Sequence, residues 1–194
     1  MSEALLETST SAQAPPAKAT IRFRFSPEKA RAALLWMLER GGRLDLHTIL
    51  KSCYFADREH LNRFRRPVFG ARYRAMRFGP VPLEIYEMAK GEAYWLSELR
   101  VERFPWALDG HHLVRTDNEP ADLAVLSESD LEALESGFGR SRALTFDERT
   151  AATHGPDWQA ARLGRMRYED MIDDSDDKTE LVAYLRATGP FMRL

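Results

Sequence analysis

Apolar residues recur at intervals of three and four over most of the chain, and proline or glycine interrupts them at defined points. Ala30, Leu34, Met37, Leu38 and Gly41 keep to one helical stripe. Ser26-Pro27-Glu28 precedes it as a start signal, with an N-cap hydroxyl, proline at the first helical position and an acid at the positive dipole end. Gly41-Gly42 closes it. The strongest periodicity follows Asp45, an N-cap, and runs through Leu46, Ile49, Leu50, Cys53, Tyr54, Leu61 and Phe64 until Pro67 stops it. Residues 69 to 78 read as a short irregular or strand-like passage ending in Gly79-Pro80-Val81-Pro82. Pro82 then opens a third helix through Ile85, Tyr86, Met88 and Ala89 to a Gly91 terminator.

Alternation replaces the helical period around Asp109-Gly110, which predicts a hairpin near residues 102 to 116 with those two residues as its turn. That register sets Trp106 opposite Leu113 and Phe104 opposite Arg115, and Pro105, lacking a donor, marks an edge strand. Ser127-Glu128-Ser129-Asp130 and Thr145-Phe146-Asp147-Glu148 resemble capping boxes, each opening a helix. Further helical segments cover 157 to 163 and 177 to 188, and no internal repeat is visible. The fold class expected is α+β, predominantly α-helical, with one small antiparallel ribbon.

Composition changes this picture little. The 194 residues are 44% hydrophobic and 30% charged, which fits an ordinary globular protein. No apolar run approaches the ~20 residues that span a bilayer, so no membrane is expected as a partner. Residues 1 to 20 lack periodic apolar positions and read as a flexible tail whose early acids do not suit a secretory signal. With a single cysteine, this predicts a cytoplasmic protein.

Charge is more informative. The net value of -2 conceals seven arginines against Glu59 between Arg58 and Arg77, and seven acids against Lys178 between Glu169 and Glu180. The two runs could meet each other, or Arg63, Arg65, Arg66, Arg72, Arg74 and Arg77 could meet an acidic protein partner. The alternative is a nucleic-acid-binding regulator whose Arg58 to Arg77 stretch contacts phosphates, although no reader motif accompanies it.

Asp57 breaks the apolar stripe of the second helix, three or four residues from Cys53, Tyr54 and Leu61. A buried carboxylate must be answered by donors. The arginines and Tyr73 of the 72 to 77 passage, or N–H groups near Val81 to Leu83, are the candidates, and Asp57 is expected to staple the Gly79-Pro80 turn to the second helix. Cys53 reads as a core residue, and His111-His112 would point to opposite sides of a strand. No P-loop, dinucleotide fingerprint, GxSxG or HExxH is present, so neither catalysis nor a cofactor or metal is expected.

Lys51-Ser52-Cys53-Tyr54-Phe55-Ala56-Asp57, then Arg72-Tyr73-Arg74-Ala75, then Gly79-Pro80-Val81-Pro82 with Ile85-Tyr86, resembles the Panacea domain typified by SocA-type antitoxins. His154 with Trp158 resembles that family's later His/Trp passage. The resemblance implies a Panacea-like core over 21–125, a C-terminal helical part over 126–194 packed on it, and scaffold roles for Tyr54, Asp57, Tyr73, Gly79, Pro80, Val81, Pro82, His154 and Trp158. It further implies an antitoxin that neutralises a cognate protein toxin, and in the SocA-type branch an adaptor that presents the toxin to the ClpXP protease.

Overall fold

A computed structural model describes residues 20–194, so the tail expected at the N-terminus lies, but for Thr20, outside the described residues. Helix α1 (Pro27–Gly41) is buried almost all round, from Lys29 through Leu38, which goes beyond the single stripe of the periodic reading. Pro27 supplies the first helical position as expected. The Ser26 side chain, however, makes no cap, and its backbone N–H donates instead to the Phe69 carbonyl at 2.9 Å.

After the two-residue strand β1 (Leu44–Asp45), Asp45 caps helix α2 (Leu46–Phe64) by accepting from the Thr48 N–H at 2.8 Å. The α2 stripe is buried as its spacing predicts from Ile49 to Leu61, while at its ends Leu46 is half-buried and Phe64 is 41% exposed with the Arg63 guanidinium over its ring. Helix α5 (Glu128–Ala143) lies against α2 so closely that a Cβ on Gly137 would stand 2.6 Å from the Ser52 carbonyl oxygen. The Ser127 and Thr145 capping boxes are both formed.

The passage after α2 is more ordered than its sequence suggests. Strands β2 (Tyr73–Met76) and β3 (Gly79–Pro82) form an antiparallel hairpin, with Tyr73 opposite Pro82 and Met76 opposite Gly79. The turn is therefore Arg77-Phe78, and Gly79-Pro80-Val81-Pro82 is a strand. Its prolines are tolerated because, among the described residues, β3 has β2 as its only strand neighbour and Pro82 ends it at the start of helix α3 (Leu83–Ala89). Helix α4 (Ala93–Leu99), which no strong periodic signal announces, follows.

The second hairpin joins β4 (Trp106–Asp109) to β5 (His112–Arg115), but two places out of the expected register. Trp106 faces Arg115 and Leu108 faces Leu113. The turn is Gly110-His111, and Gly110, at φ +62, takes the first central position that asks for positive φ. β1 completes a sheet of order β1-β5-β4, which leaves the strand that follows Pro105 at the edge. Helices α6 (Phe146–Thr153), α7 (Pro156–Ala161), α8 (Tyr168–Met171) and α9 (Lys178–Thr188) close the molecule around one apolar core running from Ile21 to Leu185. Among the described residues no helix is long and apolar enough to cross a membrane.

Candidate functional site

The residues of the 51–82 and 154–158 motifs gather around the β2–β3 hairpin, the loop that precedes it and α7. On the α2 side Asp57 is fully buried. Its Oδ1 accepts from the N–H groups of Val68 and Phe69 at 2.8 and 2.9 Å, and its Oδ2 from the Tyr73 hydroxyl at 3.0 Å. Burial pushes this carboxyl up to about 7 against the pull of those donors. Tyr73 was among the expected partners. The staple itself corrects the expectation, because Asp57 ties down the loop after Pro67 and not the Gly79-Pro80 turn.

That turn-proximal segment is held by Lys51, whose Nζ donates to the Pro80 carbonyl at 2.8 Å. Lys51 is 1% exposed, and burial, followed by the Arg149 charge, lowers its ammonium to about 7. Its position three before Tyr54 and four before Phe55 puts it beside the apolar stripe, the signal that could have revealed it. Gly79 has φ +98, and a Cβ there would meet Thr153 Oγ1 at 2.4 Å and Lys51 Nζ at 3.0 Å, so only glycine fits. Val81 and Pro82 are buried in the strand itself.

From α7 Trp158 Nε1 donates to the Met76 carbonyl at 3.0 Å, and the His154 ring stacks on Trp158 at 3.7 Å between centroids. Burial and the nearby Lys51 charge keep His154 below its ordinary pKa. Tyr54 donates to Asp157 Oδ2 at 2.5 Å, which links α2 to α7. Apart from His154, whose Nε2 is buried without a hydrogen-bond partner among the described residues, the polar side chains of these residues are engaged in internal bonds that tie the hairpin, the loop after Pro67 and α7 to one another and to α2. Cys53 is fully buried, and burial pushes its thiol up, away from the thiolate that nucleophilic chemistry requires. Among the described residues no group of three or more His, Cys, Asp or Glu side chains could hold a metal ion.

The arginine run is dispersed and largely matched. Arg58 meets Asp173 and Arg65 meets Asp177, so the basic and acidic runs do touch. Arg63 pairs with Glu59 and Glu132, and Arg72 with Glu84. Arg66 reaches Asp130 at 2.9 Å. Asp130 is fully buried and also accepts from Lys29 Nζ at 2.5 Å. Burial would raise this carboxyl, and the Lys29 and Ser127 donors outweigh it, holding Asp130 down to about 2. Only Arg74 and Arg77 of the six candidates make no ion pair among the described residues, and both are exposed. Local neutralisation removes most of the field that phosphates or an acidic surface would meet at Arg63 to Arg72.

The model of a protein family described as Antitoxin SocA-like, Panacea domain, matches residues 49–159, more than half of the chain and the span that contains every one of these motif residues. No curated protein and no solved structure matches.

Proposed function

The chain belongs to the SocA-like Panacea-domain antitoxin family, and from that premise we propose that it binds and neutralises one cognate protein toxin. Family membership is the observation that carries this reading. The geometry supports it, since the motif side chains build a scaffold in which Lys51, Tyr54, Asp57, Tyr73 and Trp158 are bonded internally. Fold alone does not assign a partner, so the partner has to be found by its effect. Co-expression with the product of the adjacent open reading frame is expected to restore growth that the product alone arrests, and to yield a complex that survives gel filtration. Failure of both would sink the proposal.

In the SocA-type variant of this role the antitoxin also presents the toxin to ClpXP. The toxin half-life would then shorten when this chain is co-expressed in protease-proficient cells and stay long in cells lacking ClpXP. Equal half-lives in the two backgrounds would leave neutralisation by blockade.

A further inference from the structure

At the Arg77-Phe78 tip of the first hairpin, the start of α2, helix α6 and the tip of the second hairpin enclose an open groove of about 940 Å³. Its wall is mainly apolar, and two of its rings are large and exposed, Phe78 at 46% and Phe146 at 42%, with centroids 5.2 Å apart. Solvent-facing aromatics gathered in one concavity mark interaction sites more often than scattered ones do.

The rings are fixed in advance by a hydrogen-bonded frame. Arg149 Nε–H donates to His47 Nδ1 at 3.1 Å, which leaves His47 Nε2 to donate to the Phe78 carbonyl at 3.1 Å. Arg149 is held in turn by the carbonyls of Ser141 and Leu144, and His47 packs on Phe146 with ring centroids 4.2 Å apart. Such a surface needs little ordering on binding.

Charge restricts the occupant. Lys51, Arg77 and Arg149 line the groove with His111 and His112, and Asp45 is the one carboxylate among the lining residues. Asp45 is occupied by the Thr48 N–H and hydroxyl and lies 3.6 Å from Arg149. Arg77 has no ion-pair partner among the described residues and sits over the Phe78 ring at the rim.

We propose that this groove docks the toxin, taking a polypeptide segment in which an aromatic or branched aliphatic side chain is flanked by carboxylates. The apolar side chain enters between Phe78 and Phe146, and the carboxylates face Arg77 at the rim. The proposal rests on the antitoxin reading, and the test separates the two.

The probe is the purified product of the adjacent open reading frame, with the full chain as its partner. Phe78→Ala and Phe146→Ala are each expected to weaken the complex about 30-fold, as anchoring side chains do. Arg77→Glu, on an exposed turn, should weaken it about tenfold, mainly through slower association and less so at high salt. Tyr94→Ala and Tyr184→Ala, at exposed rings outside the groove, should bind as the native chain does. A photo-crosslinking amino acid at position 78 should capture the toxin through a segment of the stated composition. If the native chain fails to bind or rescue, the antitoxin reading falls and this site with it. If the native chain binds and the three groove variants bind equally well, the groove alone is overturned. Crosslinks to residues 1–19 of the same chain, or to a second copy, while the toxin stays bound, likewise overturn it.

Discussion

Asp57 shows what one side chain can do for a loop. Asparagine can keep an oxygen for the Val68 and Phe69 N–H groups, but it turns an N–H toward the Tyr73 hydroxyl, which must rotate to accept it. Asp57→Asn is expected to cost about 1 kcal/mol, and Asp57→Ala, which strands three buried donors, about 2–5 kcal/mol in denaturant unfolding. The pH dependence has a definite sign. Burial raises the folded carboxyl to about 7, above its unfolded value of 3.8. Its contribution is therefore complete below the unfolded value and is lost as pH rises through about 7. The advantage of Asp over Asn should shrink as pH rises between those limits, and an advantage that grew with pH would contradict it. That this acid is buried was legible from its place in the stripe. Its main donors were not, because backbone N–H groups of a loop carry no mark in the sequence. Lys51 escaped notice for the converse reason, since lysine at a helix surface usually lies in water.

At the scale of elements, most helices and the existence of the second hairpin were legible, while helix α4, that hairpin's register and the first hairpin were not. Capping boxes, Pro27 and the spacings of α2 fix helix positions locally. The β2–β3 hairpin was hidden by two prolines, which ordinarily argue against a strand. Its contacts with α2, with Trp158 and with the 164–166 segment bonded along β2 are what hold that pairing. The second hairpin slipped because Asp109-Gly110 and Gly110-His111 are both acceptable turns, and the burial of Leu113 beside β1 decides between them. The charged face offered as a candidate site was legible as a charge run, while its internal pairing depends on tertiary contacts. The contact of α2 with α5 gives a sharp prediction. Gly137→Ala gains about 1 kcal/mol of helix propensity, yet its Cβ would drive into the Ser52 carbonyl. The net expectation is a loss of about 1–3 kcal/mol, read as a lower denaturation midpoint with an unchanged slope.

Across the whole molecule, the exposed pairs between the arginine run and the acidic run contribute little, and Arg58→Ala with Arg65→Ala together should cost under about 1 kcal/mol. The buried Lys29–Asp130 pair is of another kind. Lys29 is 5% exposed and Asp130 fully buried. Asp130→Ala leaves an ammonium without its counter-ion and should cost about 3–5 kcal/mol, seen as a marked fall in melting temperature. Asp130 itself, held down to about 2, stabilises fully above its unfolded value near 3.8 and loses that contribution as pH falls through about 2.

The sequence separation of 101 positions from Lys29 to Asp130 also sets an order of events during synthesis. When α1 leaves the ribosome its ammonium has nothing to neutralise it, and the counter-ion follows about 5–20 s later at ordinary elongation rates. Until then α1 must keep one end in water and its apolar surround open. Cells making this protein would hold a half-finished chain with a sticky flank for seconds at a time, and its yield should depend on holdase chaperones present during translation.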